Sequence, residues 1–76
     1  MRLTTNNIAY VTENHLSTKK VTWAVMPKNH CMGDARFYED CSIEELPKAV
    51  QKFIREHNCE LLDHNEHFGC TKYIYR

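Results

Sequence analysis

One stretch of this chain, Ser42 to Asn58, carries a helical pattern, and every other apolar run carries the pattern of a strand. Ser42 followed three residues later by Glu45 forms a capping box, in which the hydroxyl serves a first-turn amide and the carboxylate reaches back to the cap amide. Ile43, Leu46, Val50, Phe53, Ile54 and His57 then recur at steps of three and four, marking one buried stripe. Lys48, Gln51, Lys52, Arg55 and Glu56 face out, and Glu44 with Lys48 makes a favourable four-apart pair. Pro47 lies just past the positions where a missing amide costs nothing, so either the first turn is distorted or the regular helix begins at Pro47. Asn58 suits a left-handed cap. A lone amphipathic helix needs a second layer to cover its stripe, and strands are what the chain offers.

Ile8 to Glu13 holds Ile, Tyr, Val and Thr, which suit a pleated surface, and it leads into a polar hairpin loop at Asn14 to Thr18. Lys20 to Met26 sets Val21, Trp23 and Val25 on one face and Thr22, Ala24 and Met26 on the other, with Pro27 ending the pairing. After a loop from Lys28 to Gly33, Ala35 to Glu39 reads as a third, more exposed strand. Cys59 to Asp63 and Thr71 to Tyr75, joined by a loop from His64 to Gly69, complete the set. The expected architecture is α+β, one small domain over residues 1–76: an antiparallel sheet of four or five strands with one helix packed on one face, in the order β-β-β-α-β-β. The other face then meets solvent or a partner. Trp23, Tyr73 and Tyr75 are expected on an exposed face or edge, which makes a homodimer one expected use of it.

Leu, Ile, Val and Phe supply only 16 of 76 residues, a fraction that borders on disorder, but disorder also wants a high net charge. Here ten basic residues balance ten acidic ones, so a folded domain with a thin core is expected. The same balance excludes a uniformly basic nucleic-acid binder and a heavily acidic DNA mimic. Met1 to Asn7 contains no apolar stretch of signal-peptide length, and no run approaches a membrane span. A cytoplasmic location with reduced thiols and no membrane contact is the expectation.

The charges cancel only on average. Residues 34–66 hold nine carboxylates against four basic side chains, with Asp34, Glu39, Asp40, Glu44 and Glu45 gathered around Arg36 and Tyr38. Carboxylates at a helix start also serve its free amides, yet an acidic ridge with an aromatic and an arginine has the composition of an interface that meets a basic partner. Asp34, Arg36, Tyr38, Glu39, Asp40 and Glu44 are therefore the candidate partner-binding residues.

Two other constellations compete. His57, Cys59, His64, His67 and Cys70 fall within fourteen residues and are of the ligand types zinc prefers, Cys59, His64, His67 and Cys70 being the best set. No Cys-x-x-Cys knuckle accompanies them, and scattered thiols with surface histidines are the plainer reading. Lys72, Tyr73, Tyr75 and Arg76 place two tyrosines between basic residues, a composition that stacks single-stranded bases, although tyrosines half-buried at a sheet edge give the same sequence. Cys59 or Cys70 beside a histidine could act as a nucleophile, but Gly33 and Gly69 stand alone and no oxyanion-forming turn is present. Neither an enzymatic activity nor a cofactor is expected.

The Trp-bearing strand Lys20 to Val25, the aromatic strand Ala35 to Asp40, the Ser-Ile-Glu-Glu helix start and the closing strands together resemble the small inhibitors that bacteriophages encode, such as anti-CRISPR proteins and phage inhibitors of host RNA polymerase. The likeness is one of architecture over about residues 8–63, and antitoxins of the HicB type share a related strand order. It implies a phage or mobile-element protein that works in the host cytoplasm by blocking a basic, nucleic-acid-handling surface of a host complex. The alternatives are a zinc-stabilised regulatory module and a single-strand nucleic-acid-binding or antitoxin-like protein.

Overall fold

The computed structural model describes residues 3–28 and 34–76. Most of the expected loop between Lys28 and Gly33 lies outside the described residues. The strands are β1 (Ile8–His15), β2 (Val21–Pro27), β3 (Arg36–Glu39), β4 (Cys59–Asn65) and β5 (Cys70–Tyr75), and the helix α1 is Lys48–Glu56. They form one five-stranded antiparallel sheet in the order β3-β2-β1-β5-β4, with α1 over one face, as the sequence pattern predicts.

The region around Pro47 resolves into two elements. Ile43–Glu45 forms a single 3-10 turn, whose start is closed by the Glu45 carboxylate accepting the Ser42 N–H at 3.1 Å. Leu46 returns to extended backbone, and α1 then begins with Pro47 as its N-cap. Proline is harmless there, because a cap needs no donated amide. Gln51 ties the two elements together by donating to the carbonyls of Leu46 at 2.7 Å and Glu44 at 3.2 Å.

Antiparallel partners share a face of the sheet, so the register sorts every strand residue. Val11, Val25 and Tyr75 lie in one row and Glu13, Trp23, Tyr38 and Tyr73 in the next, all on the helix side. Ile8, Val11, Trp23 and Val25 meet Leu46, Val50, Phe53 and Ile54 there to make the core, with Tyr38, Ile43 and Tyr75 packed at its margin. Trp23 is thus buried, contrary to its expected exposure, and its indole N–H donates to the Cys41 carbonyl at 2.9 Å. Pro27 differs from expectation too: it stays within β2 and pairs with Ile8. A register shift between Ile8 and Tyr10 turns these two residues, only two apart, toward opposite faces. His57 caps α1 and is solvent-exposed, its ring stacked on Phe53 at 3.8 Å between centroids.

β4 and β5 are joined by a tight turn in which Gly69 has φ +64, with its α-carbon close to Ser17 of the neighbouring hairpin turn. A Cβ there would sit 3.4 Å from Ser17 Cβ, which is tolerable, so the backbone conformation sets the cost. Gly69→Ala is expected to lower stability by about 1 kcal/mol, read as a lower urea midpoint at unchanged slope.

Candidate protein-binding edge

β3 is an edge strand, and its end leads directly into the 3-10 turn, so residues close in sequence stay close in space. Asp34, Arg36, Glu39, Asp40 and Glu44 are all exposed. Tyr38 is half-buried, packed against the core, because it is the register partner of Trp23. Its neighbour Phe37 is the aromatic that protrudes, 67% exposed, on the side of the sheet away from α1. The alternation of β3 against an inward Trp23 is the signal that marks Phe37, and the charged neighbours obscure it by pointing to Tyr38 instead.

Glu39 shares the open face with Phe37, as partner of Thr22. Asp40 follows in the left-handed region, φ +53, a conformation its short polar side chain tolerates, and Cys41 then returns to β2 by donating its N–H to the Val21 carbonyl at 3.3 Å. Asp40, Ser42 and Glu45 then line a shallow groove with Cys41, bordered by Lys19 and Val21 of the β1–β2 hairpin. Half-buried Cys41 reports the local field: its thiol is pushed above its ordinary value, first by burial and then by the negative charges of Glu45 and Asp40. The ridge is therefore not a single surface. Asp40, Glu44 and Glu45 form an acidic rim at the end of β3, whereas Glu39 belongs to the open face.

The zinc set is not brought together. Cys59 pairs with Tyr75 and Cys70 with Asn65, which puts the two thiols at opposite ends of the β4–β5 hairpin, about 17 Å apart for five residues of strand. His64 bonds Thr71 Oγ1 through Nδ1 at 3.1 Å and lies on the helix side of the sheet, while Cys70 points the other way. Among the described residues, no three His, Cys, Asp or Glu side chains are placed to hold one metal ion.

Tyr73 and Tyr75 are committed to the fold on the helix side, whereas Lys72 lies on the open face. The Tyr75 ring stacks with Trp23 at 6.2 Å, and its hydroxyl donates to Glu13 Oε1 at 2.6 Å. His15 Nε2 donates to the other oxygen of the same carboxylate at 2.7 Å and meets the Tyr73 ring edge-on at 5.8 Å. Glu13 is thus clamped between two strands, and these aromatics brace it more than they offer free ring faces. No described helix is long and apolar enough to cross a membrane. Comparison of the chain with family models, curated proteins and solved structures gives no match.

Proposed function

We propose that this chain is a non-enzymatic protein-binding inhibitor that covers a basic, nucleic-acid-handling surface of a partner complex, in the manner of the phage-encoded inhibitors it resembles. The observation that carries the reading is the acidic rim: Asp40 and Glu45 line one groove at the end of an edge strand, beside Cys41, and exposed Glu44 precedes Glu45 in the 3-10 turn. Arg36 is exposed at the far end of the same strand, in the row of Val25, and stands apart from the rim. The carboxylates steer a basic surface toward the rim and fix its orientation.

The test is capture of partners from host cells by the wild-type chain and by an Asp40→Asn/Glu44→Lys variant, followed by a gel-shift assay of the captured partner. Asparagine tolerates the backbone of position 40, and Glu39 is left alone because it faces elsewhere. A partner retained at least about tenfold better by the wild type, and losing nucleic-acid binding as the chain is titrated in, supports the reading. Equal capture by both chains, or a partner that still shifts its nucleic acid when saturated, overturns it.

A further inference from the structure

We propose that the open face of the sheet is a homodimer interface, in which two copies pack face to face about a two-fold axis that runs along the strands between β1 and β2. This surface lies across the sheet from α1. One row across it reads Glu39, Thr22, Asn14, Lys72 from β3 to β5, and the next reads Phe37, Ala24, Thr12, Ile74, with Met26 beside Tyr10 beyond them. Tyr10, Thr12, Ala24, Met26, Phe37 and Lys72 line a depression of about 170 Å³ on it.

The face matches itself. Rotation about the stated axis lays β3 of one copy over β5 of the other, and β2 over β1, while keeping each row at its own level. Glu39 then faces the second copy's Lys72, and Lys72 faces its Glu39, so both unlike-charge pairs form at once. Phe37 falls over Ile74, itself only 7% exposed, Met26 over Tyr10, Thr22 over Asn14 and Ala24 over Thr12, so like meets like in every pair except the small Ala24–Thr12 one. On β4, Asp63 lies in the row of Lys72 and comes diagonally beside the second copy's Glu39, so each Lys72 sits between two carboxylates, while Glu60, in the row of Ile74, overhangs the β3 edge. Sheets that pack this way lie about 10 Å apart at roughly −30°, a rotation that displaces the outer strands by about one residue and keeps each long side chain within reach of its counterpart. An isologous two-fold contact needs this self-complementarity, and a surface shaped for an unrelated partner has no reason to show it.

Sedimentation velocity over a dilution series decides the question. The wild type is expected to reach twice the 9.0 kDa chain mass as concentration rises. Phe37→Glu is expected to remain monomeric with an unchanged circular dichroism spectrum, since a side chain so exposed contributes little to the monomer fold. Glu39→Lys and Lys72→Glu are each expected to weaken the dimer about tenfold or more, and an equimolar mixture of the two to recover it. In the mixed dimer the introduced lysine faces the introduced glutamate, and the native Lys72 of one copy faces the native Glu39 of the other. A wild type that stays monomeric throughout overturns the proposal, as does a dimer indifferent to Phe37→Glu. Failure of the mixture to recover, with both variants folded, overturns the axis. If Lys72→Glu does not fold beside Asp63, Phe37→Glu and Glu39→Lys carry the test. Asp40 and Glu44 lie outside this interface, so its failure leaves the acidic rim untouched.

Discussion

Phe53→Ala is expected to cost about 3–5 kcal/mol, which for a domain of this size is about a quarter or more of a total stability of roughly 4–11 kcal/mol. Phe53 is 2% exposed, sits in the middle of α1 and is among the largest fully covered side chains. Its ring fills the space between Val50, Ile54 and the strand residues Val11, Trp23 and Val25, and it also carries the stacked His57 ring. A thin sheet-and-helix core has little around that position that can collapse into the void, so both the lost transfer energy and the cavity contribute. Thermal unfolding followed at 222 nm should show a midpoint lowered by roughly 15 °C or more, or no cooperative transition at all. Phe37→Ala is the matched control: the same chemical change at an exposed position should stay within about 0.5 kcal/mol in a monomeric sample. Comparable effects at 37 and 53 would contradict the assignment of faces.

The difference between these two phenylalanines shows what the sequence makes legible. The α1 stripe was readable because local spacing alone puts Leu46, Val50, Phe53 and Ile54 on one side. The break at Pro47 was readable as a conflict but not as a resolution. Whether a capping box starts an α-helix or closes one 3-10 turn depends on whether the chain past Leu46 can be paid back by tertiary contacts, here the Gln51 hydrogen bonds. Strand faces were harder. The bulge near Ala9 inverts the alternation within β1, so Ile8 reaches the core and Tyr10 does not, and no local propensity marks that step.

Long-range order left still less trace. β5 inserts between β1 and β4, so the partners of Val11 include Tyr75, at the far end of the chain. That pairing is what buries the tyrosine expected at an edge. The candidate sites divide along the same line. Asp40 and Glu45 share one groove because a turn preserves sequence proximity, whereas Cys59 and Cys70 are separated because a hairpin strand converts sequence spacing into distance. A cluster in sequence is a cluster in space only where the chain folds back within it.

The pairing of β1 with β5 also sets up the second large effect, at Glu13. Its carboxylate, on a side chain that is 15% exposed, accepts from the Tyr75 hydroxyl and from His15, and so links residues 62 positions apart. Glu13→Ala leaves the half-buried Tyr75 hydroxyl without its acceptor and is expected to cost about 2–3 kcal/mol, while Tyr75→Phe, which keeps the ring on Trp23, should cost about half as much. The same geometry gives an alkaline signature. Burial first, then the hydrogen bond to Glu13 and its charge, and last the neighbouring Cys59, raise Tyr75 far above its ordinary value of 10.0. Above that value an unfolded chain releases the phenolic proton and the folded chain holds it, so the folded state binds more protons and its stability must fall as pH rises. Below it both states are protonated and the contribution is complete. Urea midpoints of wild type and Tyr75→Phe, measured from neutral pH to beyond 10, should therefore converge as the pH climbs, the wild type losing its advantage. Parallel curves would show that the Tyr75 hydroxyl is as free to ionise in the fold as outside it, and would remove the clamp on Glu13.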